Sequence, residues 1–237
     1  MSKYLIIDKK MRKQEKEYLK SIGYETIEVE SNDNLYDEIS SHVDIFACKI
    51  NDKIILENSL YKKLLKYNVS NIYLGKSLLT KKYPFDIPYN VCQIGKYAIH
   101  NFEYTDTKVL DVIKKEGLEK INVKQGYSKC SIAVVDDKSA ITTDKKIADK
   151  LKMHGIDVLL FDKKLDIKLL DNKNNYSKMS GFIGGATSKL NDKFIVFGDV
   201  KNIDKEGKIK TFVESKNLKL IDFKNLDVID YGGILNI

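Results

Sequence analysis

Short apolar stretches recur along the chain in pairs, each pair joined by two polar or flexible residues and followed by a longer amphipathic stretch. Phe46-Ala-Cys-Lys-Ile50, then Asn51-Asp52, then Lys53-Ile-Ile-Leu56 reads as strand, turn, strand, because an Asn-Asp pair tolerates the positive φ of a tight hairpin. The pattern repeats in Asn90–Ile94 with Tyr97–Ile99 across Gly95-Lys96, and in Cys130–Val135 with Ala140–Thr142 across Asp136-Asp137. It repeats again in Gly185–Leu190 with Phe194–Phe197 across Asn191-Asp192. Helices are predicted after the hairpins over Ser59–Tyr67, Thr107–Gly117, Asp144–Gly155 and Glu206–Asn217. In the third, Ile147, Ala148, Leu151 and His154 share a face, Asp144 stands as N-cap and Gly155 follows the C-terminus. Each helix leads into a further apolar strand: Ile72–Leu74, Ile121–Val123, Val158–Phe161 and Leu218–Ile221. The unit is therefore strand, strand, helix, strand.

The two ends supply a fifth unit in halves. Gly232–Ile237 reads as a first strand, while Lys3–Asp8, a helix over Lys10–Ser21 and Glu25–Val29 read as the remainder. Pairing of the terminal strands would close five units into a ring without an exposed sheet edge between first and last. The expected fold is thus an α/β ring in a single domain over residues 1–237, with an open doubly wound sheet as the simpler alternative.

Composition narrows the function. The formal charge is +7, but Arg12 is the only arginine and the lysines are interspersed with acids along the helices. That is the pattern of solvated faces, and nucleic acid is not the expected partner. Cys48, Cys92 and Cys130 are odd in number and lack Cys-x-x-Cys spacing, so they are expected to be free thiols. The opening Met1–Asp8 stretch lacks the long apolar core of a signal peptide, and no apolar run would span a bilayer, so the expected location is cytoplasmic.

The segment from His42-Val-Asp44 to Ile55, together with the repeats, resembles the guanidine-modifying enzymes of pentein fold, a β/α propeller of five repeats. That group includes arginine deiminase, agmatine deiminase and dimethylarginine dimethylaminohydrolase, and the sequence is similar to its uncharacterised bacterial members. The resemblance implies that His42 is the general acid and base. Two repeats on, Gln125-Gly-Tyr-Ser-Lys-Cys130 puts Cys130 in the nucleophile's place. One repeat back around the ring, Asp230-Tyr-Gly-Gly puts Asp230 in the place of a substrate-binding acid, with Asp44 as its companion. The chain would then be circularly permuted relative to the hydrolases, and its Gly181–Thr187 repeat carries no carboxylate.

The expected activity is hydrolysis, or amidinotransferase-like transfer, on a small guanidino or amidino compound through a covalent thiol intermediate. No metal or organic cofactor is expected. A cysteine beside an imidazolium would have a depressed pKa, and carboxylates would grip the planar N–H forks of a guanidinium. Each residue also has a structural reading. Cysteine in a strand is commonly a small buried hydrophobe, His42 can cap a strand entry, and His154 suits a helix C-terminus. His-x-Asp on one strand would put both side chains on one face. The alternative function is a non-catalytic pentein ring that acts as a binding or ribosome-associated protein. Gly181–Gly185 matches no phosphate-binding motif and is expected to serve close backbone packing.

Overall fold

Tyr4–Asp8 begins the regular structure of the computed structural model, which describes residues 4–237; Lys3, read above with the first strand, lies outside the described residues. In chain order, β1 (Tyr4–Asp8), α1 (Lys13–Ser21) and β2 (Glu25–Val29) precede α2 (Val43–Phe46), β3 (Ala47–Ile50), β4 (Lys53–Leu56), α3 (Asn58–Leu64) and β5 (Ile72–Leu74). Next come β6 (Cys92–Ile94), β7 (Tyr97–His100), α4 (Thr107–Lys115) and β8 (Glu119–Asn122). They are followed by α5 (Ser128–Ser131), β9 (Ile132–Asp136), β10 (Ser139–Thr142), α6 (Lys145–Met153) and β11 (Asp157–Leu160). A hairpin of β12 (Ile167–Leu170) and β13 (Tyr176–Ser180) leads to β14 (Thr187–Leu190), β15 (Lys193–Val196), α7 (Lys208–Glu214) and β16 (Lys219–Ile221). Two short strands, β17 (Val228–Ile229) and β18 (Leu235–Asn236), end the chain.

Among the described residues the strands form six three-stranded sheets. Five share one plan: a first strand antiparallel to the second, and a third strand parallel to the second after a helical crossover. The fifth of these is assembled from both ends, β18 pairing antiparallel with β1 at Leu5–Asn236 and Ile6–Leu235, and β1 pairing parallel with β2. The pairing of terminal strands expected from the sequence is therefore present. First strands of successive units touch, β3 with β6, β6 with β9 and β9 with β14.

Local chemistry explains why the unit recurs. Asn51, Gly95 and Asn191 hold φ of +53°, +52° and +55° in the hairpin turns. The third of these hairpins instead turns at Asp137-Lys138, where the Asp136 carboxylate accepts from the Lys138 amide and the Ser139 hydroxyl. The Asp144 carboxylate accepts from the Ile147 amide at 3.0 Å as the N-cap of α6, and Gly155 takes φ +76° after its end. Helices α3, α4, α6 and α7 each bury one apolar stripe: Leu60 and Leu64 of α3, Val109, Val112 and Ile113 of α4, Ile147 and Leu151 of α6, Ile209 and Val213 of α7. Each such side chain contributes about 1.5–3 kcal/mol when buried.

Two further features depart from the sequence reading. The apolar run at Val43–Phe46 and the start of the Cys130 segment are single helical turns, α2 and α5, placed immediately before their strands. The sheet β13-β12-β17 has no counterpart in the repeat.

Candidate active site

His42 ends the extended segment before α2, and Asp44 lies inside that turn. A helical turn, unlike a strand, sends residues two apart in different directions. The expectation that His42 and Asp44 share one strand face is therefore corrected. His42 faces the carboxylates of Asp8 and Asp230, whereas Asp44 faces Cys130.

The imidazole is 1% exposed, with Nδ1 3.1 Å from Asp8 Oδ2 and Nε2 3.3 Å from Asp230 Oδ1. Neither nitrogen meets hydrogen-bond angles, so the attraction is that of ion pairs. Burial opposes the charge on His42, but Asp230 and Asp8 outweigh it and raise its pKa from 6.5 to about 9. The ring is an imidazolium at neutral pH. Burial likewise pushes Asp8 up, and His42, the Lys10 ammonium and the Ser41 hydroxyl more than reverse it. Asp8 Oδ1 accepts from the Lys10 amide at 2.7 Å and from Ser41 Oγ at 2.6 Å. Asp230 is fixed through Oδ2 to the Phe182 amide at 2.8 Å and through Oδ1 to the Gly232 amide at 2.9 Å.

The helical turn α5 presents Cys130, whose Sγ donates to Asp44 Oδ2 at 2.8 Å and accepts from Asn90 Nδ2 at 3.2 Å. Asn90 Oδ1 accepts from the amides of Lys129 and Cys130, and Asn90 Nδ2 also reaches the Asp44 carbonyl. Burial raises the Cys130 pKa well above the ordinary thiol value, and the carboxylates of Asp44 and Asp230 raise it further. The expectation of a thiol depressed by the imidazolium is reversed, because the group in contact with the sulfur is an anion. Asp44 is itself pushed up, first by burial and then by Asp230, and its Oδ1 has no hydrogen-bond partner among the described residues.

The glycine segment explains how these groups come so close. A Cβ on Gly185 would stand 1.9 Å from Asp230 Oδ1, and one on Gly184 would stand 2.3 Å from the Lys129 carbonyl. The Gly184 and Gly185 amides both donate to the Cys130 carbonyl, at 2.7 and 3.2 Å. Gly181–Gly185 thus packs backbone against the two halves of the site.

His42, Cys130 and Asp230 line one cavity of about 540 Å³. Asp44 lines a second, more polar cavity, shared with residues of the first strands of all five repeated sheets and their flanking turns, including Lys49, Gln93, Val134, Lys189 and Leu235. Asp8 and Asn90 were not identified from sequence. Among the described residues no group of three or more His, Cys, Asp or Glu is arranged to hold a metal ion.

The other singled-out residues have structural partners. His100 Nδ1 is 2.6 Å from Thr105 Oγ1 and its Nε2 is 2.8 Å from the Gly126 carbonyl; burial lowers its pKa to about 4, so it is a neutral pin for the turn before α5. His154 Nδ1 sits on the Lys150 carbonyl. Burial raises the thiols of Cys48 and Cys92, and both pack in the core. Arg12 pairs with Glu15 and caps the carbonyls of Asp227 and Phe197, so its fork is spent inside the molecule.

Residues 6–235 match the sequence profile of a family of unknown function (DUF6873). The chain belongs to that family. No curated protein matches it in sequence. Among solved structures it is similar to dimethylarginine dimethylaminohydrolase from Pseudomonas aeruginosa, solved with citrulline, at 9% identity over 96% of this chain and 93% of that one, TM-score 0.59. It is also similar to agmatine deiminase from C. jejuni, at 15% identity over 95% of this chain and 88% of that one, TM-score 0.54. The family member thus has the mixed α/β fold of the pentein-type guanidine-modifying enzymes. Among the described residues no helix is long and apolar enough to cross a membrane.

Proposed function

We propose that the five repeated sheets of this family member form one closed pentein-type propeller domain. We further propose that the cavity floored by His42, Cys130 and Asp230 is the active site of a cysteine-dependent hydrolase or amidinotransferase-like enzyme for guanidino or amidino compounds. The observation that carries the reading is the Cys130 thiol held between Asn90 and the under-coordinated Asp44, with Asp230 and an imidazolium at the same cavity floor. The fold shared with agmatine deiminase and dimethylarginine dimethylaminohydrolase supports the same chemistry.

The steps follow from the charges. A planar cation bound against Asp230 in this cavity, beside the thiol that Asp44 holds from behind, offsets the two acids that keep the thiol protonated, so binding itself lowers the Cys130 pKa. The thiol proton passes to Asp44 Oδ2, to which it is already bonded at 2.8 Å. Sγ then bonds to the substrate's central carbon. His42, charged at neutral pH, gives its Nε2 proton to the departing nitrogen as the C–N bond breaks. Neutral His42 next takes a proton from water, the hydroxide adds to the carbon, and the C–S bond breaks. Sγ recovers its proton from Asp44, and the carbonyl product releases its extra proton to solvent.

The second reading, a binding ring without catalysis, draws on the 3% exposure of Cys130 and its protonated resting state. A cationic electrophile separates the two. 2-Chloroacetamidine is expected to alkylate Cys130 faster than the neutral 2-chloroacetamide, a preference lost in Asp230→Asn, with ammonia, amine or urea release abolished in Cys130→Ser. No 2-chloroacetamidine adduct, together with no turnover of arginine, agmatine, methylated arginines, creatine-like compounds or simple alkyl- and arylguanidines, would leave the binding ring.

A further inference from the structure

Above its charged floor the cavity wall is apolar. Ile39, Tyr127, Leu165, Leu169, Met179 and Phe182 enclose it, and the β12–β13 hairpin with its flanking loops supplies most of them. Tyr127 and Phe182 stack with centroids 6.1 Å apart, and the Tyr127 hydroxyl is committed to Asp86, so the aromatic bodies remain for the cavity. Among the described residues the only charged ones lining it beyond the floor are Lys164 and Lys178, both exposed and of the same sign as a guanidinium. No acid among them lines the wall. Met179 is 53% exposed and Tyr36 48%, an apolar rim open to solvent.

A second cation on the ligand would have to leave water for this wall without a partner and approach two lysines. An α-ammonium group, as on an amino acid, meets the same obstacle. An aryl or alkyl tail would instead gain by covering the apolar wall and rim. Resting on the guanidino reading of the floor, we infer that the substrate is a singly charged N-substituted guanidine or amidine with an apolar, aryl or alkyl substituent. Amino-acid and diamine guanidines are disfavoured. The hairpin that the repeat lacks is the specificity element.

The test is calorimetry on Cys130→Ser with 3-phenylpropylguanidine and agmatine, which share the head group and differ in the far end. The same ranking is read on the wild type as protection of Cys130 from 2-chloroacetamidine, which does not require the variant to fold. The expected result is at least ten-fold tighter binding of 3-phenylpropylguanidine. Met179→Asp, at an exposed site, should shrink that ratio several-fold by giving agmatine's ammonium a partner. Agmatine or arginine binding as tightly as the aryl compound, or a ratio unmoved in Met179→Asp, would overturn the apolar specificity and leave the guanidino site standing. Failure of every guanidine to bind or protect would overturn the guanidino reading and the inference with it.

Discussion

If His42 is held as an imidazolium by two carboxylates, Asp230→Asn should lower its pKa towards the physiological range. The rise from 6.5 to about 9 corresponds to about 3 kcal/mol of native-state stabilisation, at about 1.4 kcal/mol per unit. Because the folded pKa lies above the unfolded one, this stability is fully present below pH 6.5 and disappears as pH rises through about 9. Asparagine keeps the shape and one acceptor oxygen of Asp230 but removes its charge, while the burial that disfavours the imidazolium stays. The His42 pKa should fall by about 1–3 units, the usual effect of an adjacent opposite charge. The assay is imidazole NMR across pH 5–10, which is tractable because the chain has three histidines and His100 titrates near 4. Chemical denaturation at the same pH values should show the wild type losing its advantage over Asp230→Asn as pH rises from 6 to 10. A wild-type His42 that titrates at or below 6.5, or one unmoved by Asp230→Asn, would refute the reasoning.

Other outcomes follow from the same geometry. Substrate turnover should fall as pH rises through about 9, where His42 loses the proton it gives to the leaving group, as read from initial rates. Gly184→Ala sets a Cβ 2.3–2.6 Å from three backbone carbonyls, which cannot swing aside as a side-chain tip can. It should cost about 1–3 kcal/mol or more in urea denaturation. Cys48→Ala and Cys92→Ala should leave 2-chloroacetamidine labelling unchanged, since mass mapping is expected to find the adduct on Cys130 alone.

How much was legible depended on the range of the interaction that fixes each feature. The hairpins and helices are set by neighbours, such as Asn51 and Asn191 in their turns and Asp144 at its N-cap, and the sequence displays those directly. The pairing of β1 with β18 was legible because each end lacked the half that the other supplied. Single helical turns were not. Val43–Phe46 is too short to show a helical period, and its apolar residues read equally well as strand. The β12–β13 hairpin carries Asp171 and Asn174 in its turn, but polar Tyr176–Ser180 lacks the alternation of a half-buried strand. His42, Asp44, Cys130 and Asp230 were singled out through a family motif and lie within one cluster. Asp8 was hidden because nothing at its own position marks it: it closes an apolar strand, and its partner arrives from the next unit.

Asn90 is the sharpest instance, a residue read only as the first of a strand that proves to tie both halves of the site together. Its carboxamide is fully buried, with the oxygen facing the amides of Lys129 and Cys130 and the nitrogen facing the Asp44 carbonyl and Cys130 Sγ. Asn90→Asp keeps the volume but turns a donor into an acceptor, so the ionised carboxylate it introduces would point a lone pair at a carbonyl oxygen and at the sulfur beside the acid of Asp44. Only the protonated acid restores a donor. The new group would therefore have a folded pKa above the unfolded value of about 3.9. Relative to wild type, Asn90→Asp should be near parity below that value and should lose stability as pH rises towards its raised folded pKa. An unsatisfied buried donor or acceptor costs about 1–3 kcal/mol, and more when charged, so a deficit of several kcal/mol is expected by about pH 8. Asn90→Ala should instead lose a comparable amount at every pH, because it strands the two amides whatever the proton concentration. Equal and pH-independent deficits in both variants, measured by urea denaturation from about pH 4 to 8, would show that the carboxamide fills space and does not organise the thiol.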